Sequence, residues 1–185
     1  MTVADLIGRL SGVEDRSMVG DLARERAVTA ITYDSRRVTQ GAIFVAMQGV
    51  HLDGVRFVSE AMNRGAALVV SASGVSRVPG IPWLTVKDAR LTLAELATAF
   101  HGHPSRELRV VGITGTNGKT TTTYLLASVL EAAGFQCGRI GSVHHRTGRR
   151  DEVAERTTPE APDVQSLLRE MVDQGCSACV MEVSS

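Results

Sequence analysis

The sequence predicts an α/β protein in two parts: a small α/β domain over residues 1–105, then over 106–185 an incomplete P-loop-type domain with a mainly parallel sheet. Three observations carry this. Before residue 105, short apolar runs alternate with segments of helical periodicity. The stretch His101-Gly-His-Pro-Ser-Arg-Glu107 gathers Gly, Pro and polar residues and reads as an interdomain linker. Beyond it, an apolar run, a glycine-rich turn and an amphipathic run follow in the order strand, phosphate-binding turn, helix.

In the first domain, 28–33 and 43–47 read as strands separated by the turn Thr39-Gln40-Gly41. Residues 54–64 carry Val55, Phe57, Val58, Ala61 and Met62 at helical spacing and stop before Gly65, a helix-ending residue. Strands are expected at 67–71 and 83–86. Asp88 is placed to cap the helix that follows, whose predicted buried side is Leu91, Leu93, Leu96, Ala97 and Phe100.

In the second domain, 108–113 reads as a buried strand and Lys119 onward as a helix with Tyr124, Leu125, Leu126, Val129 and Leu130 as its apolar residues. A strand at 136–140, a hydrophilic stretch at 144–156, a helix at 163–174 and an apolar strand at 178–183 complete it. Arg146, Arg149 and Arg150 are followed at once by Asp151, Glu152 and Glu155. That mixture fits a solvated hairpin or loop better than a nucleic-acid patch, and no aromatic residues are interleaved with it for base stacking.

The turn itself is the most informative segment. Residues Gly115, Thr116, Asn117, Gly118, Lys119, Thr120 and Thr121 would point successive backbone N–H groups into one hollow at a helix N-terminus, where phosphate oxygens are stabilised. Lys119 would reach the β- and γ-phosphates of a nucleotide and the Thr120 hydroxyl would coordinate Mg²⁺. The general pattern G-x-x-x-x-G-K-[ST] is not fully met, because Ile113 stands where the first glycine belongs. Composition supports the reading: of 20 basic residues only Lys87 and Lys119 are lysines. A lysine in a chain that otherwise uses arginine suggests a site needing a compact ammonium. Glu182, ending the last strand, is placed to face the loop and share the cation with Thr120.

Other features exclude other classes. Twenty basic and twenty acidic residues give a net charge of zero, so no global field favours nucleic acid or a membrane surface. The N-terminus lacks a basic region followed by a long apolar stretch, and no run is long enough to span a bilayer. Three cysteines suggest no disulfide framework, which points to the cytoplasm. Cys176-Ser-Ala-Cys179 has no second pair to complete a zinc site and leads into an apolar strand, so it reads as two buried thiols. His101 and His103 likewise lack further ligands and read as a helix end. The chain stops just past Glu182, too short a sheet to bury both faces, and a fragment is expected.

With these positions in hand, the sequence resembles the N-terminal part of a Mur ligase of the MurE type. Tyr33-Asp-Ser-Arg36 followed by Gly41-Ala-Ile-Phe44 resembles the uridine-binding signature of that family's first domain, and Gly49-Val-His-Leu-Asp-Gly54 continues it. Gly112-Ile-Thr-Gly-Thr-Asn-Gly-Lys-Thr-Thr121 matches the family's own form of the phosphate loop, which accounts for Ile113. Thr157-Thr-Pro159 and Met181-Glu-Val-Ser-Ser185 complete an ordered set that covers essentially the whole chain.

The resemblance implies an ATP- and Mg²⁺-dependent ligase of peptidoglycan synthesis. It would add a third amino acid, diaminopimelate or lysine, to UDP-N-acetylmuramoyl-L-Ala-D-Glu through an acyl phosphate. It further implies that Ser35, Val50, His51 and Leu52 contact the uridine diphosphate, that Thr157, Thr158 and Ser184 contact the muramoyl-dipeptide, and that Thr120 and Glu182 hold Mg²⁺. For Asp34 and Arg36, a salt-bridged turn and a direct ligand contact both remain open. Lys119 and Glu182 are the expected catalytic pair. A monomer is expected, with no nucleic acid and no membrane insertion. The family's second metal site and amino-acid-selecting domain are not in these residues, so the isolated chain is expected to be inactive.

Rival readings are a MurF-type ligase, a P-loop GTPase or small kinase, and a non-catalytic UDP-sugar- or nucleotide-binding module. A GTPase would need a base-reading Asn-Lys-x-Asp, and neither lysine lies in one.

Overall fold

The computed structural model describes residues 1–48, 53–154 and 157–184. It divides into two compact units, Met1–Phe100 and His101–Ser185.

The first unit runs α1 (Val3–Ile7), β1 (Val13–Met18), α2 (Asp21–Arg24), β2 (Ile31–Thr32), β3 (Ile43–Ala46), α3 (Val58–Asn63), β4 (Leu68–Ala72), β5 (Trp83–Val86) and α4 (Ala89–Phe100). The strands form one sheet in the order β1-β5-β4-β3-β2. β2 to β5 are mutually parallel, and β1 runs antiparallel to β5 at one edge. Alternating side chains sort the apolar residues to opposite faces. Ile43, Val45, Leu68, Val70, Leu84 and Val86 pack with Leu6 of α1 and Leu93 and Leu96 of α4. Phe44, Val69 and Trp83 pack with Val58 and Ala61 of α3.

Local signals explain most of these elements. Asp88 Oδ1 accepts from the backbone N–H groups of Arg90 and Leu91, as its capping role requires. The helix expected at 54–64 opens as a 3₁₀ turn, Gly54–Phe57, before α3 begins. Gly65 follows it with φ of +95°, a conformation that favours glycine. Leu91, expected inside, is 52% exposed, because the buried face of α4 is taken by Ala89, Thr92, Leu93, Leu96, Ala97 and Ala99.

The second unit runs β6 (Arg109–Ile113), α5 (Lys119–Ala132), β7 (Cys137–Ile140), β8 (His144–Arg146), β9 (Asp151–Val153), α6 (Ala161–Asp173) and β10 (Ala178–Glu182). Its sheet order is β6-β10-β7-β8-β9. β6, β10 and β7 are parallel, with β10 in the middle, and β8 and β9 add an antiparallel hairpin. Ala178 and Val180 face α5 with Ala127 and Cys137, whereas Cys179 faces α6 with Ile140, Leu168 and Met171.

Three expectations change here. The 108–113 strand is not buried: among the described residues β6 pairs with β10 alone, and Val110 is 37% exposed. On α5, five apolar residues span too wide an arc for one face. Leu126 and Leu130, four apart, pack on the sheet, while Leu125 and Val129 are 64% and 63% exposed. The stretch 101–107 is not a free linker. Pro104 is buried, and Arg169 Nη1 of α6 donates to Glu107 at 2.8 Å.

The hydrophilic stretch is indeed a hairpin laced with ion pairs. Arg146 meets Glu131 at 3.0 Å, and Arg150 bridges Glu170 at 3.2 Å while also contacting Glu152. Cys137, Cys176 and Cys179 are free and buried. Among the described residues, no three or more His, Cys, Asp or Glu gather to hold a metal ion. No described helix is long and apolar enough to cross a membrane.

Candidate functional site

In the second unit, the chain leaves β6 and enters α5 through residues 114–118. Gly115 has φ of +145° and Gly118, the residue before the helix, has φ of +76°. Both values lie where L side chains are disfavoured, so the two glycines set the path of the loop. The helix begins at Lys119, whose Nζ donates to Gly115 O at 2.7 Å. The ammonium is thus folded back over the loop, positioned where anionic oxygens at the helix N-terminus would meet it.

Sheet geometry delivers the acidic partner. Along β10, side chains alternate, so Glu182 shares the α5 face with Ala178 and Val180 and stands at the strand's C-terminal end, beside the loop. Glu182 is 1% exposed. Its Oε2 accepts from Thr120 Oγ1 at 3.1 Å and from Ser142 Oγ at 2.9 Å, and its Oε1 accepts from the Ser142 backbone N–H at 3.0 Å. The donors in these three bonds are two hydroxyls and a backbone N–H, all neutral. A carboxylate and a hydroxyl oxygen in contact, beside a phosphate-binding turn, are the hard oxygen donors that Mg²⁺ prefers. The residues therefore fit a magnesium ion shared with a nucleotide.

A cavity of about 400 Å³ opens here, lined by Thr116, Asn117, Gly118, Lys119, Thr120, Thr121, Ser142, Thr157, Glu182 and Ser184. Thr157 Oγ1 lies 3.1 Å from Ser142 Oγ. Thr158 is placed differently from its neighbour. Its hydroxyl donates to Glu182 O at 3.0 Å and accepts from the backbone N–H of Ser184 at 3.0 Å and from Ser184 Oγ at 3.1 Å. Thr158 thus ties the segment after Thr157 to the end of β10 rather than facing the cavity.

The structure therefore brings together Gly115, Lys119, Thr120, Thr157, Thr158, Glu182 and Ser184 from segments more than sixty residues apart. Sequence reading missed Ser142. Its only signal is position: it follows β7 by two residues, and β7 is hydrogen-bonded to β10, so the ends of the two strands meet.

In the first unit, Asp34 caps a 3₁₀ turn, Ser35–Arg37, by accepting from the Arg36 backbone N–H. The Arg36 guanidinium also pairs with Asp34 at 2.7 Å, and that hydrogen-bonded pairing holds the Asp34 carboxyl below the usual carboxylate range. The salt-bridged turn expected as one possibility is present. Ser35 is 6% exposed, and its hydroxyl donates to Glu60 Oε2 at 2.7 Å. Its proton is committed to a protein partner, so any ligand contact by the side chain would use its oxygen as acceptor. Val50, His51 and Leu52 lie outside the described residues.

Two family profiles match the chain: "Mur ligase family, catalytic domain" over residues 27–101 and "Mur ligase middle domain" over 113–185. Among curated proteins, a UDP-N-acetylmuramyl-tripeptide synthetase from Roseiflexus sp. is 49% identical over 162 residues, covering 85% of this chain and 32% of its own length. The UDP-N-acetylmuramoyl-L-alanyl-D-glutamate–2,6-diaminopimelate ligase of Chlorobaculum tepidum is 46% identical over 182 residues, covering 98% of this chain and 35% of its own. The chain thus spans about a third of the length of the curated relatives it matches. Among solved structures, a UDP-N-acetylmuramoyl-L-alanyl-D-glutamate–2,6-diaminopimelate ligase superposes with TM-score 0.71 at 22% identity, over 100% of this chain and 36% of that one. A MurF ligase from Thermotoga maritima in complex with ADP gives TM-score 0.58 at 24% identity, over 89% and 33%. At these identities the two structures speak for the fold alone.

Proposed function

The chain belongs to the Mur ligase family, and on that premise we propose that it carries the nucleotide-binding machinery of a MurE-type ligase. That enzyme adds a third amino acid, diaminopimelate or lysine, to UDP-N-acetylmuramoyl-L-Ala-D-Glu at the expense of ATP. The observation that carries the reading is the pairing of Thr120 with the buried Glu182 carboxylate at 3.1 Å, in a cavity that also presents Lys119, Thr157 and Ser184. The names of the curated relatives at 46–49% identity support the MurE type over MurF.

In this reading, the backbone N–H groups of residues 115–121 receive the phosphates of ATP. Lys119 leaves Gly115 O and places its ammonium against the β- and γ-phosphates. Thr120 and Glu182 would hold Mg²⁺, which would supply charge neutralisation. Thr157 and Ser184 line the same cavity and orient the muramoyl-dipeptide, while Thr158 fixes their backbone. Ser35 and residues 50–52 serve the uridine diphosphate end.

The chemistry follows from the poor leaving ability of a carboxylate oxygen. Transfer of the γ-phosphoryl to the substrate carboxylate gives an acyl phosphate, and the incoming amine displaces phosphate to form the amide. The residues act by position and charge, and no protein nucleophile is needed.

The test is equilibrium binding of a fluorescent ATP analogue to the chain with Mg²⁺ present. Saturable binding by the wild type and its loss in Lys119→Ala are expected. A wild-type chain that does not bind the analogue, or a variant that binds it equally well, would refute the assignment.

A further inference from the structure

Ser142 meets Glu182 twice. Its backbone N–H donates to Oε1 at 3.0 Å and its hydroxyl to Oε2 at 2.9 Å, so the two contacts grip both oxygens of one carboxylate. The carboxylate is buried and the Ser142 side chain lines the cavity. The backbone bond alone would leave Oε2 tied only to Thr120, at 3.1 Å. With the longer bond from Thr120 as its one remaining tie, Oε2 is held less firmly, and rotation of the carboxylate about its last bond moves a cation ligand off its geometry.

Ser142 also lies 3.1 Å from Thr157 Oγ1. A hydroxyl has one proton, and the charged acceptor at 2.9 Å binds it more strongly than a neutral one. Ser142 therefore accepts from Thr157, and one side chain connects the carboxylate with the segment that carries Thr157 and Thr158.

We propose that Ser142 is a positioning residue: its hydroxyl fixes the orientation in which Glu182 binds the divalent cation accompanying the nucleotide. This rests on the reading of Thr120 and Glu182 as the cation ligands. The hydrogen bonds of the hydroxyl run to Glu182 and Thr157. It acts through Glu182, so its loss shows in metal affinity before it shows in nucleotide affinity.

The experiment titrates Mg²⁺ into the 185-residue chain with a fluorescent ADP analogue and reads the Mg²⁺ concentration at half effect, beside the affinity measured in excess chelator. Ser142→Ala keeps the backbone donor and removes the hydroxyl. It should raise the Mg²⁺ midpoint about tenfold or more, the usual cost of losing an outer-shell partner, and leave the metal-free affinity within about twofold. Ser142→Thr, which retains the hydroxyl, should restore the wild-type midpoint. Should Ser142→Ala melt without cooperativity, Ser142→Cys preserves the volume with a weak donor and should shift the midpoint in the same direction.

An unchanged Mg²⁺ midpoint in Ser142→Ala, with nucleotide binding still lost in Lys119→Ala, overturns the role of Ser142 and leaves the nucleotide site standing. A wild-type chain whose nucleotide affinity ignores Mg²⁺ overturns the cation reading of Glu182, and this inference with it.

Discussion

The carboxylate of Glu182 occupies the space that a side chain on Gly141 would need: a Cβ built on Gly141 falls far inside van der Waals contact with Glu182 Oε1. Gly141 immediately follows β7 and faces the same side of the sheet as Glu182 at the end of β10. Absence of a side chain at one residue is what lets an acidic group sit buried beside the phosphate loop.

Gly141→Ala should therefore push Glu182 off Ser142 N and Thr120. Overpacking of this kind costs about 1–3 kcal/mol, read as a lower urea midpoint. Magnesium-dependent nucleotide binding should weaken together with it. An alanine variant with wild-type stability and metal dependence would show that the Glu182 carboxylate is not held in this place.

Lys119→Arg tests why a chain with 20 basic residues places one of its two lysines here. The guanidinium is a broad planar fork and the ammonium a compact point charge. Arginine should not fit the turn between Gly115 and the helix start, and nucleotide affinity should fall about tenfold, equivalent to roughly 1.4 kcal/mol. Equal affinity of the two proteins in a fluorescence titration would argue that charge alone suffices.

Ser35→Ala removes the bond to Glu60 at 2.7 Å from a residue only 6% exposed. Loss of a hydrogen bond to a charged group costs about 1.5–3 kcal/mol, so the denaturation midpoint should drop. Calorimetric titration with UDP-N-acetylmuramoyl-dipeptide should also show weaker binding. Retained stability with weakened binding would assign the hydroxyl to the ligand instead of the fold, and no change in either would remove Ser35 from the site.

Burial pushes the Cys179 thiol far above its ordinary range, and burial also raises Cys137 and Cys176. In an unfolded chain thiols ionise near about pH 8.5. Above that pH the folded state holds more protons than the unfolded one, so stability must fall as pH rises. The contribution is complete below the unfolded value and is lost toward the folded ones. Urea midpoints should decline between about pH 8 and 10, less steeply in Cys179→Ala, and a thiol reagent should label the three cysteines only on unfolding. Rapid labelling of Cys179 in the native chain at neutral pH would contradict its burial.

Much of this molecule is legible locally. The short apolar runs at 43–47, 67–71 and 83–86 correspond to β3, β4 and β5, and Asp88 caps α4 where expected. The loop glycines and Lys119 stand out from spacing and composition alone. By contrast, β1 has the sequence Val-Glu-Asp-Arg-Ser-Met, which carries no apolar run, and it is a strand because β5 offers an open edge. Leu91, Leu125 and Val129 show the same limit: helical spacing marks them as apolar, but which arc of the helix meets the sheet depends on neighbours distant in sequence.

The sequence by itself determined the order of strand, turn and helix around Lys119, because backbone propensity and side-chain periodicity act over a few residues. It also determined that Glu182 closes an apolar strand. Only the tertiary structure decided that β10 lies between β6 and β7, and therefore that Glu182 meets Thr120 and Ser142 across separations of 62 and 40 residues. Strand order is fixed by how two sheet faces bury their apolar side chains against α5 and α6 at once. That is a collective packing energy with no local signature, and a single hydroxyl such as Ser142 acquires its role only after the packing is complete.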